Sequence, residues 1–160
     1  MAPTRLSPHF TLAEFIASRD ATRFGIDNSL PAALIPNALR WATMMERIRA
    51  ALSAKLGREA VINLSSGYRC LTLNRRENSA DTSDHVQGLA GDWRCDSFGM
   101  PTEICRFLAP RVDDLGIGQL INEYPDRNGW VHTSEKMVAN PINRIITING
   151  FGTHAGILEK

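Results

Sequence analysis

The sequence predicts an α+β fold, an antiparallel sheet with helices packed on one side. Helical and strand-like segments are interspersed along its 160 residues. Successive strand-like segments are joined mostly by turns too short for the crossover that a parallel pair needs. With 43% hydrophobic residues, the chain can bury one ordinary core and is short for two. One domain over residues 1–160 is expected, with an amino-terminal segment to residue 35 and a core from residue 36.

From Thr11, TLAEFIAS sets Thr11 and Glu14 at capping-box spacing and places apolar residues at Leu12, Phe15 and Ile16, which predicts a short helix. After the turn-rich GIDNSLP, the run from Pro36 to Leu56 puts Leu39, Met44, Met45, Ile48, Leu52 and Leu56 near helical spacing, and Gly57 ends it. Its arginines, Arg40, Arg47 and Arg49, read as a solvated helix face. AVINLSS alternates and carries β-branched residues before Gly67, so a strand running into a loop is expected. LTLNRREN suits a short helix, and the Ser, Asp, Asn and Thr of NSADTSD suit a surface loop. Leu89 to Trp93 reads as a second short strand. Pro101, with Glu103 close behind, opens a helix over PTEICRFLAPRV. IGQLINEY and WVHTS are strands flanking the turn-forming PDRNG, and NRIITINGFGTHAGI closes the chain as a hairpin turning at Asn149 and Gly150.

The formal charge is +1, from 18 Lys and Arg against 17 Asp and Glu, which gives no general pull toward nucleic acid. No run of about 18 apolar residues is present, so no membrane span is expected. MAPTRLSPHF has no apolar stretch of the ~7–15 residues of a secretory signal, so synthesis in a cytoplasm is expected. The three cysteines, Cys70, Cys95 and Cys105, are odd in number and include no CxxC pair, so free, mostly buried thiols are expected. A monomer is expected.

The chemistry is concentrated in SDHVQGLAGD. It offers an imidazole at His85 and a carboxylate at Asp92, with small residues around them that let backbone approach a bound group. Such an N,O pair suits zinc, although a His and an Asp seven residues apart also recur by chance. Of the four histidines, His9 lies near the amino terminus and His154 in the last turn, whereas His132 sits in the strand-like WVHTS. A lone His on a strand is commonly just hydrogen-bonded. Three protein ligands with a fourth position left for water is nevertheless the pattern of a catalytic zinc.

SSGYR at Ser65 to Arg69, then Ser83, His85, Gly88, Ala90 and Asp92 in the spacing SxHxxGxAxD, then Trp130 to His132, resemble the D-alanyl-D-alanine metallopeptidase family. That family includes zinc carboxypeptidases, vancomycin-resistance dipeptidases and phage endolysins, and shares its fold with the hedgehog signalling domain. LSPHFTLAEFIAS, the long helix leading into VINLSSGYR, and the terminal hairpin are similar to the phage and bacterial branch that cleaves peptidoglycan. The resemblance implies one zinc ion on His85, Asp92 and His132, and Arg69 facing the substrate. It implies weaker substrate contacts at Tyr68 and Ser83, each of which also suits a loop cap. The implied substrate is a peptidoglycan peptide, met in the periplasm or wall after release or from a virion. A zinc-containing wall-binding or virion module without turnover is the alternative.

Several family members carry a Glu three residues before the last His as general base, a position that is Gly129 here. The nearest carboxylates are Glu123 and Asp126, nine and six residues before His132. Asp126 lies in the PDRNG turn and suits turn geometry. Glu123 ends a strand, and a register setting it opposite His132 would bring the two Cβ atoms roughly 5 Å apart. A slip of one residue would turn it to the other face. Trp93 and Trp130 read as core or site-wall packing.

Overall fold

The computed structural model describes residues 4–159. Met1–Pro3, the start of the stretch read for a secretory signal, and Lys160 lie outside the described residues. Helix α1 (Leu12–Ile16) is closed by the expected capping box: the Thr11 hydroxyl oxygen accepts from the Glu14 N–H, and the Glu14 carboxylate accepts from the Thr11 N–H at 3.0 Å. A helix that the apolar pattern does not signal follows, α2 (Arg19–Phe24), capped by Ser18 and ended by Gly25. It escapes the sequence reading because only Ala21 of RDATRF is buried, which leaves no periodicity to find.

The long helix α3 (Ile35–Leu56) buries Ala38, Trp41, Met44, Met45, Ile48 and Leu52, while Leu39 faces solvent. Burying an indole such as Trp41 or Trp93 removes enough apolar area to contribute roughly 4–6 kcal/mol before ordering costs. Arg40 pairs with Glu135 and Arg49 with Glu59, whereas Arg47 donates to the Leu115 carbonyl oxygen. Then come β1 (Asn63–Ser66), α4 (Leu71–Arg76), β2 (Ala90–Arg94), α5 (Pro101–Leu108), α6 (Val112–Leu115), β3 (Gln119–Glu123), β4 (Trp130–Ser134), β5 (Ile145–Asn149) and β6 (Gly152–Ala155). Cys95 and Cys105 are buried free thiols, and burial pushes the Cys105 thiol up. No helix among the described residues is long and apolar enough to cross a membrane.

The strands form one six-stranded sheet in the order β1-β2-β4-β3-β5-β6. The fold is α+β as expected, but the sheet is mixed: β3 and β5 run parallel and the other pairs antiparallel. Strand β4 returns beside β3 and ends next to Gln119, and the following segment crosses to the far side of β3 and starts β5 at the same end, so β5 must run with β3. The crossover thus contains a strand, which is why reading adjacent pairs one at a time does not reveal it.

Alternation along the central strands separates two faces. Toward the helices point Gly91 and Trp93 of β2, Val131 and Thr133 of β4, and Leu120 and Asn122 of β3. Gly91 lies against the Trp41 ring, the Trp93 indole N–H donates to the Thr133 hydroxyl at 2.9 Å, and α5 packs on β3 and β4. The opposite face carries Asp92, His132, Ile121 and Glu123. The helices therefore leave one sheet face free, and Asp92, His132 and Glu123 of the central strands are on it.

Candidate metal centre and its cavity

Strand register brings the first two groups together. Asp92 of β2 is directly opposite His132 of β4, which is directly opposite Ile121 of β3, so the carboxylate and imidazole are cross-strand neighbours on the free face. His85 comes from the loop before β2. Successive turns shape that loop, with Val86 N–H donating to Ser83 O, Gly88 N–H to His85 O and Leu89 N–H to Asp84 O. Gly88, at φ +68°, makes the left-handed step that returns the chain into the strand. Ser134 at the end of β4 donates its hydroxyl to the Asp84 carboxylate at 2.6 Å, which ties the loop to the sheet.

The three donor atoms converge. His132 Nδ1 lies 2.8 Å from Asp92 Oδ1, His85 Nε2 lies 3.3 Å from the same oxygen, and the two imidazole nitrogens are 3.2 Å apart. All three residues are buried. Zinc bonds of about 2.0–2.1 Å in tetrahedral geometry put neighbouring donors about 3.3–3.4 Å apart, close to these separations. His85 Nδ1 lies 2.6 Å from the Gly67 carbonyl oxygen, and because a carbonyl can only accept, Nδ1 carries a proton toward it and Nε2 is the nitrogen turned to the cluster. Burial works against ionisation of Asp92, but the two imidazoles outweigh it and hold the carboxyl well below the usual carboxylate range. Two nitrogen lone pairs and a carboxylate, with the outer nitrogen of His85 anchored by a backbone carbonyl, fit a divalent zinc ion with room for a further ligand.

Gly67 makes that anchor possible. A Cβ built at this position would overlap the Phe15 carbonyl oxygen, so only glycine lets the loop after β1 lie against α1 with its own carbonyl turned to His85. Gly67→Ala is therefore expected to weaken zinc binding about 10–100-fold, the usual cost of losing such an orienting partner. A competition titration with a chromophoric chelator measures it, and an unchanged affinity would show that the bond to Gly67 does not orient the ring.

The cluster lies in a cavity of about 610 Å³. Alternate residues of β3, Gln119, Ile121 and Glu123, line one side, with Trp130 and His132 of β4 beside them, and the loop from Glu77 to Asp84 forms the other rim. Glu123 pairs with Trp130 and not with His132. This corrects the expected register by two residues, and because side chains alternate with a period of two, the shift leaves Glu123 on the ligand face. It meets His132 diagonally, Oε1 at 4.0 Å from Nδ1. Burial and the neighbouring Asp92 charge, acting against His132 and Arg69, push the Glu123 carboxyl up to about 7.

Gly129 holds no side chain in this hairpin for a steric reason: a Cβ there would overlap the Glu123 carbonyl oxygen and press on that of Tyr124. Asp126 is not among the cavity-lining residues and pairs with Arg127 at 3.4 Å. Arg69 lines the cavity, makes no ion pair among the described residues, and has a buried Nε without an acceptor. Ser83 lines the cavity as well, and its hydroxyl accepts from the His85 N–H at 3.4 Å. Tyr68 is a correction. Its side chain is buried in the hydrophobic core and is not among the lining residues, whereas the next residue, Arg69, lines the cavity. Trp93 is core and Trp130 is cavity wall. No side-chain pattern marks the Gly67 carbonyl, a backbone group, as a partner of His85, and none marks Tyr124 as a cavity residue.

A satisfied buried cluster has a proton for every close contact. Here a carboxylate and two imidazoles converge at the mouth of a substrate-sized cavity, a donor set that a divalent cation would satisfy. That makes the cluster a candidate metal centre. Residues 8–134 match the family model of Peptidase M15, and the chain belongs to that family of zinc-dependent metallopeptidases. The matched region holds the cluster, Arg69 and Glu123, and stops before β5. No curated protein matches the chain.

Proposed function

We propose that the chain hydrolyses an amide bond within peptidoglycan peptides, as a phage-type lysin does. One zinc ion would be held by His85, Asp92 and His132, Glu123 would be the general base, and Arg69 would bind substrate. The observation that carries this reading is the convergence of the three donors beside the Glu123 carboxylate, which lies 4.0 Å from the His132 nitrogen. The donor cluster lies midway along a floor running from Gln119 to Glu123, so substrate residues have room on both sides of the cut, which favours cleavage inside a peptide over removal of one terminal residue. The likeness of the amino-terminal segment and terminal hairpin to the wall-cleaving branch supports peptidoglycan as the source of that peptide.

Zinc when bound supplies a Lewis acid that acidifies water and polarises the scissile carbonyl. Glu123 takes a proton from the attacking water, whose oxygen forms the new bond to the carbonyl carbon. As the C–N bond breaks, Glu123 returns that proton to the leaving amine. The unpaired Arg69 guanidinium donates to the developing oxyanion or to a substrate carboxylate. Its freedom from structural ion pairs supports this role.

Digestion of purified peptidoglycan with the native and the chelated protein, with fragments identified by mass spectrometry, tests the reading. Release of peptide fragments by the native protein alone is expected, and their masses name the bond. Turnover that survives chelation would overturn the zinc mechanism, and no release from several wall types would leave a wall-binding module without turnover.

A further inference from the structure

Tyr124 follows the proposed base and has a backbone that its side chain disfavours. Its φ of 48° and ψ of 52° place a bulky aromatic residue in the left-handed region. Asn128, at the other end of the same turn, is also left-handed at φ 59°, but asparagine tolerates that conformation. The turn therefore does not explain the tyrosine, and such strain persists only where surrounding structure imposes it. Here the Tyr124 N–H donates to the Ile148 carbonyl at 2.7 Å, and Gly129 lets the returning chain lie against the Tyr124 carbonyl.

The result aims the ring at the cavity. Tyr124 and Trp130 are neighbours at a centroid distance of 5.6 Å and both line the cavity at its Glu123 end. Behind them, the Arg127 guanidinium stands 5.9 Å from the Tyr124 ring and packs against Gly150 in the β5–β6 turn. The phenol hydroxyl makes no hydrogen bond among the described residues, and the buried Trp130 indole N–H also has no acceptor. A wall held from behind with unmatched polar groups is shaped for something that arrives from the cavity.

We propose that Tyr124 is a substrate-binding residue whose ring, backed by Trp130, packs against the peptide segment adjoining the cleaved bond on the Glu123 side. Its hydroxyl bonds a backbone amide of that segment. This rests on the peptidase reading above. Tyr124→Asn keeps a residue type suited to the backbone and removes the ring, and Tyr124→Phe removes only the hydroxyl. With a soluble peptidoglycan stem-peptide fragment and the zinc-loaded full chain, Tyr124→Asn is expected to raise KM about 10-fold with kcat within about 3-fold and an unchanged melting temperature. Tyr124→Phe divides the effect between ring and hydroxyl.

Equilibrium binding of the same fragment, followed by tryptophan fluorescence, is expected to weaken by the same factor in Tyr124→Asn. An unchanged KM and affinity in that variant overturns the proposal, as does a loss of activity that only tracks a fall in melting temperature. If the native protein binds the fragment without cleaving it, the peptidase reading fails while the binding comparison still decides the role of Tyr124.

Discussion

Chelation is expected to end peptide hydrolysis and to lower the melting temperature, and Asp92→Asn is expected to reproduce both effects with zinc present. The reason lies in the cluster's charge. Asp92 supplies the only anion among three buried donors that lie 2.8–3.3 Å apart. An amide of the same shape offers the ion no charge, and the two imidazoles are left facing each other with less to hold them. With free zinc at about 1,000 times its Kd, binding to the folded state alone stabilises it by about 4 kcal/mol. For a chain of this size that corresponds to a rise of about 8–16 °C. Calorimetry of the native protein with zinc, of the chelated protein and of Asp92→Asn measures the difference. The expected pattern is a high transition for the first and lower ones for the other two, with zinc having no effect on the variant. A native protein whose transition ignores chelation would show that the cluster is only a buried hydrogen-bonded knot.

The site was legible from the sequence to different depths. His85, Asp92 and His132 are legible because histidines are few in the chain and the three residues match a family spacing, and strand pairing sets two of them side by side. The helices with strong periodicity and the existence of the two hairpins are equally legible, although the terminal hairpin turns at Gly150 and Phe151, one residue later than expected, because Asn149 still pairs with Gly152. What escaped has a physical reason in each case. The α2 helix buries one small residue, and the parallel β3–β5 pair depends on a crossover that passes through β4. Tyr124 read as the end of a strand, because alternating hydrophobicity does not report the sign of φ. Tyr68 shares a motif with Arg69 yet points into the core, since adjacent residues in extended backbone take opposite sides.

Glu123→Gln is expected to lower kcat about 10²–10⁴-fold, with zinc stoichiometry and melting temperature unchanged and KM within a few-fold. Glu123 faces Trp130, and His132 faces Ile121, so the carboxylate reaches the metal ligands along a diagonal, where only a long side chain spans the gap. Aspartate at this position would be one methylene short, and Glu123→Asp is expected to fall between glutamate and glutamine. Gly129 accounts for the position of the proposed base: the tight return of β4 leaves no space for a side chain three residues before His132, and Glu123 lies on the same face from the neighbouring strand. Glutamine keeps the size and the polar contacts but cannot accept the water proton, so the loss belongs to kcat. Full activity in the glutamine variant would move the base elsewhere. Loss of zinc from it would instead make Glu123 a fourth ligand, which its 4.0 Å approach to the His132 nitrogen places within reach of the same measurement.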